Sequence, residues 1–354
     1  MSKYNVFFGT YSKGQGNGLF RGEFDCDTGE IILKDTLDIE NSSYLQLRDN
    51  ILYGVSEVGE FDGEKGGALF SVDISDSSQM RLIDMKCTHG KSPCHLCVTD
   101  KTYKLFKNLI FVANYSEGSL SIFETGISGK IVQSCQSIHH FGKSVNRLRQ
   151  DSSHIHFAAM TPDDEYLAVC DLGLDKVFLY PYSERKGIST NAGFINCPPG
   201  SGPRHMVILN KYLAYVLTEM GNTVLVYNYF DSFEWGEELL QEISTLPPDF
   251  TGQSTAAAIH ISPDWEYLGA SNRGHDSIAI FKIQDDCKLD FLSHIMTGKE
   301  PRDFRFSPDS RWIISANQND DSVTVYKIEN DNFIQTGNVS LPKPVCILFG
   351  EEIK

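Results

Sequence analysis

Short apolar runs of strand length alternate with polar turns along the whole chain, and one pattern recurs seven times. It is a strand, a polar turn and a second strand ending in an aromatic residue. The closing aromatics are Phe20, Phe70, Phe123, Tyr180, Tyr227, Phe281 and Tyr326, which by subtraction lie 50, 53, 57, 47, 54 and 45 residues apart. Ahead of six of these hairpins stands a further strand: SYLQL from Ser43, PCHLCV from Pro93, IHFAAM from Ile155, PRHMVIL from Pro203, AAAIHI from Ala256 and PRDFRF from Pro301. The first hairpin lacks one, and PVCILFG from Pro344, at the end of the chain, supplies the missing copy. Pro162-Asp163, Pro263-Asp264 and Pro308-Asp309 mark turns that leave three of these strands.

A period near fifty with strands only predicts an all-β fold, a seven-bladed β-propeller of four-stranded antiparallel blades. The C-terminal strand is expected to complete the N-terminal blade and close the ring, removing exposed sheet edges. Repeat folds grow by adding blades, so 354 residues fit a single domain over 1–354. In each blade the first strand runs down the channel and the second returns. The start of the first strand, the end of the second, the turn after it and the loop between blades therefore share one rim.

That rim is where chemistry is expected. The second strands end in Thr10, Glu57, Asn114, Asp171, Asn272 and Asn317, with Thr218 or Glu219 in the fifth blade, the polar punctuation any propeller carries. More telling is the second position of each first strand, which holds Tyr44, Cys94, His156, Arg204, Ala257, Arg302 and Val345. His154 lies two residues before His156, His205 adjoins Arg204, and Arg273 and His275 fall in the turn of the sixth blade. Converging Arg and His side chains point to an anion site, because guanidinium matches carboxylate or phosphate oxygens bidentately. Singly, each arginine reads equally well as an ion-pair partner of Glu57, Asp171, Glu219 or Asp303. The connection from Phe123 to His154, with His139, His140, Arg147, Arg149 and Gln150, is expected to form a lid or wall of the site, and Leu246 to Gln253 a structural loop.

Charge narrows the partners. With 31 Lys and Arg against 47 Asp and Glu, the formal charge of -16 repels nucleic acid and anionic membranes, so neither is expected. Nine cysteines without framework spacing fit a reducing cytoplasm. The pair Cys94 and Cys97 falls in a strand where an offset of three separates the sulfurs, so buried hydrophobes are expected there and not a metal site. No phosphate-binding loop, dinucleotide fingerprint or zinc motif is present, and neither cofactor nor metal is expected. Protein partners stay unknown.

Several stretches in order carry a resemblance: GTYSKGQGNGLF at the start, Ser92-Pro93-Cys94-His95-Leu96, Ala113-Asn114-Tyr115, Arg149-Gln150 before His154-Ile155-His156, Gly202-Pro203-Arg204-His205, Ser271 to Ile278, and Pro301-Arg302-Asp303. Over nearly its whole length the chain resembles the seven-bladed propeller lactonases, the bacterial 6-phosphogluconolactonase group related to fungal muconate-lactonizing enzymes. The resemblance implies that His156, Arg204, Glu219 and Arg273 serve lactone chemistry. It also implies hydrolysis of a small anionic sugar lactone, 6-phospho-D-glucono-1,5-lactone, to 6-phosphogluconate in the pentose phosphate pathway. In a metal-free reaction His156 or Glu219 would be the base and Arg204 or Arg273 would stabilise the oxyanion. Arg302, Arg149 and His205 would grip phosphate or carboxylate, with His154, Asn114 and His95 completing the substrate-binding set. A muconate-type cycloisomerase and a protein-binding propeller stay open as alternatives.

Overall fold

The computed structural model describes residues 2–12, 18–99, 108–209, 213–228 and 238–353; the side chains of 133–135 and 238 are outside the description. The turn of the first hairpin at 13–17, Tyr212 at the head of the fifth hairpin and the Cys135 side chain therefore lie outside the described residues.

Seven antiparallel sheets account for the repeat, and no helix occurs among the described residues. Six first strands fall where the pattern places them: Ser42–Arg48, Pro93–Val98, Ile155–Met160, Pro203–Ile208, Thr255–Ile261 and Pro301–Phe306. The seventh, Pro344–Ile353, pairs antiparallel with Lys3–Thr10, so the C-terminus completes the N-terminal sheet. These are the blades of a seven-bladed β-propeller. Six sheets have four strands, and the blade after Ile155 has five, because its outer edge divides into Gly187–Ile188 and Gly193–Asn196.

The marker aromatics are all buried, from Phe70 and Phe281 at 0% to Phe20 at 8% exposed. They do not end their strands as the pattern implied. Ser119–Thr125 and Ser277–Ile283, for instance, run on past Phe123 and Phe281. Each aromatic is thus a core residue inside its strand and not the strand's end. The Pro-Asp turns share one construction. Thr161, Ser262 and Ser307 donate from Oγ to Asp163, Asp264 and Asp309, and accept the backbone N–H of Tyr166, Tyr267 and Trp312.

The chain divides into two compact units: Met1–Ser42, Asn222–Val224 and Gln241–Lys354 form one, Ser43–Gly221 and Leu225–Leu240 the other. In the first, Val6, Phe8, Phe24, Trp312, Ile314 and Ile347 share one core, and Ile278, Ile280, Phe304, Ile313 and Tyr326 another. One of its polar groups joins buried Asp303 to part-buried His260 and Arg305. His260 Nε2 lies 2.8 Å from Asp303 Oδ1, and Arg305 Nη1 lies 3.1 Å from His260 Nδ1. In the second unit Val55, Leu96, Ile110 and Phe123 pack together, as do Phe111, Ile155, Val169 and Tyr180, and Cys170, Leu179, Val216 and Tyr227.

Burial and the neighbouring Arg305 lower the His260 pKa to about 4, against the pull of Asp303. The unfolded chain binds a proton near pH 6.5 that folded His260 refuses until about pH 4. Stability from the neutral imidazole is therefore full above pH 6.5 and lost as pH falls through that window. Denaturant unfolding at several pH values should show a steeper loss between pH 6.5 and 4 for wild type than for His260→Gln; parallel curves would contradict this origin.

Candidate active site

Several of the candidate residues stand on β-bulges. Pro93 pairs with Asn114 but His95 with Ala113; Ile155 pairs with Asp171 but Phe157 with Cys170; Pro203 pairs with Thr218 but His205 with Leu217. Cys94, His156 and Arg204 are the extra residues, and the same shift occurs at Arg302 between Pro301 and Asp303. In a regular strand neighbours face opposite sides, whereas a bulge re-aims one of them. Arg204 and His205 consequently meet, with Nη1 and Nε2 3.2 Å apart. A guanidinium has donors only, so His205 Nε2 accepts and its ring proton sits on Nδ1.

Arg204 is 2% exposed, and its Nε donates to Glu219 Oε2 at 2.8 Å. Glu219 follows the strand Leu213–Thr218, its backbone N–H anchored on the Gly202 carbonyl at 2.8 Å. Its other oxygen, Oε1, accepts from Arg149 Nη2 at 2.5 Å. Two guanidinium groups against one carboxylate leave this trio one net positive charge. Arg149, with a side chain 39% exposed, is the member that reaches solvent. Burial pulls against the Arg149 cation, yet Glu219 and Tyr115 hold its pKa above the ordinary value.

Arg149 Nη2 also donates to the Tyr115 hydroxyl at 3.3 Å. Burial raises the Tyr115 phenol pKa, and Arg149 partly offsets the rise. Tyr115 begins a continuous file of rings: it stacks on His154 at 4.5 Å and meets His156 edge-on at 5.5 Å. His156 lies 5.2 Å from His205, His205 lies 5.3 Å from His95, and His95 lies 3.9 Å from Tyr44. His154 is fixed by its own backbone N–H on Asp171 Oδ1 at 2.9 Å and by Nδ1 on the Tyr115 carbonyl at 3.1 Å. All of these residues belong to the unit Ser43–Gly221.

The connection that carries Arg149 is tied down by hydrogen bonds. Gln150 Nε2 donates to Asp175 Oδ1 at 2.7 Å and to the Leu172 carbonyl at 2.9 Å, and Ser144 Oγ donates to Asp175 Oδ2 at 2.5 Å. The same connection leaves Phe141, Val145 and Leu148 exposed, Leu148 to 90%, an apolar set that the sequence pattern did not announce.

The remaining candidates are placed otherwise. Asn114 is wholly buried, and its Nδ2 donates to Ser121 Oγ at 2.8 Å and Ser119 Oγ at 3.2 Å. Asn317 makes the same bonds to Thr324 and Ser322, and Asn272 Nδ2 donates to the Thr245 carbonyl. Asp171 repeats the theme with His140 Nδ1 at 2.7 Å and Ser153 Oγ at 2.6 Å. Polar residues at these strand ends thus bond within or next to their own blades. Arg273 and Arg302 belong to the other unit. There Arg273 Nη2 donates to the Ala256 carbonyl at 3.2 Å, and the Arg302 guanidinium lies 5.1 Å over the Tyr11 ring. Asp303 takes His260 and Ile347 N–H as partners. Cys94 and Cys97 are buried, and no disulfide joins any two of the eight described cysteines. Tyr115 and Tyr44 were missing from the expected site. Their signal was positional: Tyr44 occupies the position of His156 and Arg204, and Tyr115 follows the polar strand end at Asn114.

Residues 5–349 match the family model described as "Lactonase, 7-bladed beta-propeller". The chain belongs to this lactonase family. It is 32% identical over 365 aligned positions to the 6-phosphogluconolactonase of Bacillus subtilis (strain 168), covering 100% of both chains. Among solved structures, a periplasmic gluconolactonase of Pseudomonas aeruginosa superimposes with a TM-score of 0.90 at 29% identity, over 98% of this chain and 99% of that one. A putative 6-phosphogluconolactonase from Bacteroides fragilis NCTC 9343 gives 0.88 at 26% identity, over 99% and 98%. Membership of the lactonase family and the 6-phosphogluconolactonase relative make the chain a lactone-hydrolysing enzyme, and no described helix is long and apolar enough to cross a membrane.

If Glu219 neutralises a buried Arg204, Glu219→Gln should cost about 3 kcal/mol of stability in denaturant unfolding, since it strands a buried charge. Arg149→Ala, at a solvent-reached position, should cost under about 1 kcal/mol. Equal losses would contradict the asymmetry.

Proposed function

We propose that the cluster of His156, His205, Arg149, Arg204 and Glu219 hydrolyses a phosphorylated sugar lactone, 6-phospho-D-glucono-1,5-lactone, to its acid. The observation that carries this reading is the local positive charge of the Arg149, Arg204 and Glu219 trio beside the histidine file, within a chain of formal charge -16. An anionic substrate is drawn to such a site, whereas neutral gluconolactone gains little from it.

In this reading His156 takes a proton from water as it attacks the lactone carbonyl. The bond between the carbonyl carbon and the ring oxygen then breaks, and the ring oxygen takes back the proton held by His156 and leaves as the sugar hydroxyl. Arg149, the cation in reach of solvent, stabilises the charge that develops on the carbonyl oxygen or holds the phosphate. Glu219, engaged by two guanidinium groups, is a positioning residue and not the base. Arg204 holds Glu219 from the buried side. His154, His205, His95 and Tyr115 supply ring faces and polar edges for the sugar. A reducing cytoplasm suits the free thiols.

Wild type should accelerate hydrolysis of freshly prepared 6-phosphoglucono-1,5-lactone above the spontaneous rate, with a higher kcat/KM than for glucono-1,5-lactone. His156→Ala should lower kcat about 10²- to 10⁴-fold, and Arg149→Ala should lower kcat/KM about 10²- to 10³-fold. No acceleration by folded wild type removes this substrate and brings muconate-type dicarboxylates forward. Full activity in both variants moves the site elsewhere.

A further inference from the structure

The second blade alone carries an extra hairpin among the described residues, Glu60–Phe61 paired with Glu64–Lys65, between its second and third strands. Its base is sewn to the end of the blade's outer strand, Arg81–Cys87, and the turn beyond. Gly67 N–H donates to the Gly90 carbonyl at 3.0 Å, and Thr88 N–H donates to the Gly67 carbonyl at 2.9 Å. Thr88 Oγ1 bonds the Gly90 carbonyl at 2.9 Å as well. Gly66, with φ +136°, passes so close that an added Cβ would stand 2.9 Å from the His89 nitrogen. Only glycine permits that approach. His89 itself has φ +53°, a left-handed conformation that turns it out of strand alternation.

The result is a convergence of three unlike donors from two segments. His89 Nδ1 lies 3.2 Å from Glu64 Oε2, and the Cys87 sulfur, Glu64 carboxylate and His89 ring nitrogen all lie within 4.8 Å of one another. We propose that Glu64, Cys87 and His89 form a binding site for a zinc-type divalent cation, with water in the fourth position. Thiolate, imidazole and carboxylate are the three side-chain ligands zinc takes, and a thiolate disfavours magnesium and calcium. The His89 N–H donates to Cys87 Sγ at 3.3 Å, which supports a thiolate and orients it. Cys87 is 7% exposed while Glu64 and His89 are open to solvent, so the sulfur forms the floor and the ion enters from outside. Burial raises the Cys87 thiol pKa, and the His89 N–H opposes the rise. The site lies outside the lactone cluster and pins the hairpin to its blade. A lone Cys87-Thr88-His89 in the sequence, its third ligand on a separate turn, matches no paired-cysteine pattern.

The test is cobalt(II) titration of the full-length protein followed by absorption, with zinc as competitor. Wild type should take up one equivalent with a near-ultraviolet thiolate-to-cobalt band that zinc abolishes. Cys87→Ser should lose the band, and His89→Ala and Glu64→Gln, both at exposed positions, should each weaken affinity about 10-fold or more. No uptake, a band that survives in Cys87→Ser, or unchanged affinity in both other variants would overturn the proposal. The readout does not depend on lactone hydrolysis, so the two readings stand or fall separately.

Discussion

Burying Arg204 to 2% exposure removes a permanent charge from water, which costs several kcal/mol unless an opposite charge is buried with it, and Glu219 is that charge. The carboxylate has a second oxygen, and that oxygen engages Arg149 from the long connection between blades. One buried ion pair thereby sets the position of a solvent-reached cation on a different segment. Tyr115, bonded to Arg149 and stacked on His154, carries the order onward into the histidine file.

Bulges make this convergence possible on a sheet scaffold. A regular strand alternates its side chains, so it presents at most every second residue to one face. The extra residue at His156 and at Arg204 lets each blade deliver a polar side chain at the start of its first strand, joined in the fifth blade by the adjacent His205, without breaking the apolar alternation that follows. Further along, Ala158 and Met206 return to the core. Strand ends hold His156 and Arg204, and the loop tied down at Gln150 holds Arg149.

Blade number, first-strand positions and the closing C-terminal strand were legible because they rest on local repetition: an apolar run, a turn residue, an aromatic. The aligned second position was also legible, and it turned out to be the bulge. Other features were hidden because they depend on contacts far apart in sequence. Nothing local says that Glu219 serves two arginines, or that Tyr115 and not Asn114 faces the rings. Asn114, Asn272 and Asn317 look alike in sequence because they do alike work inside their blades. Asp303, one of four acids offered as partners for the arginines, has His260 and Arg305 beside it, and its neighbour Arg302 lies over Tyr11. The Glu64, Cys87 and His89 group escaped notice for the same reason, since its ligands meet only through a hairpin.

The most direct test of the account is a crystal structure of the protein with 6-phosphogluconate, the product of the proposed reaction. The account predicts the product against Arg149, with its carboxylate or phosphate on that guanidinium and its sugar chain along His154, His156 and His205. Product bound away from these residues, with the Arg149, Glu219 and Arg204 trio untouched, would contradict it.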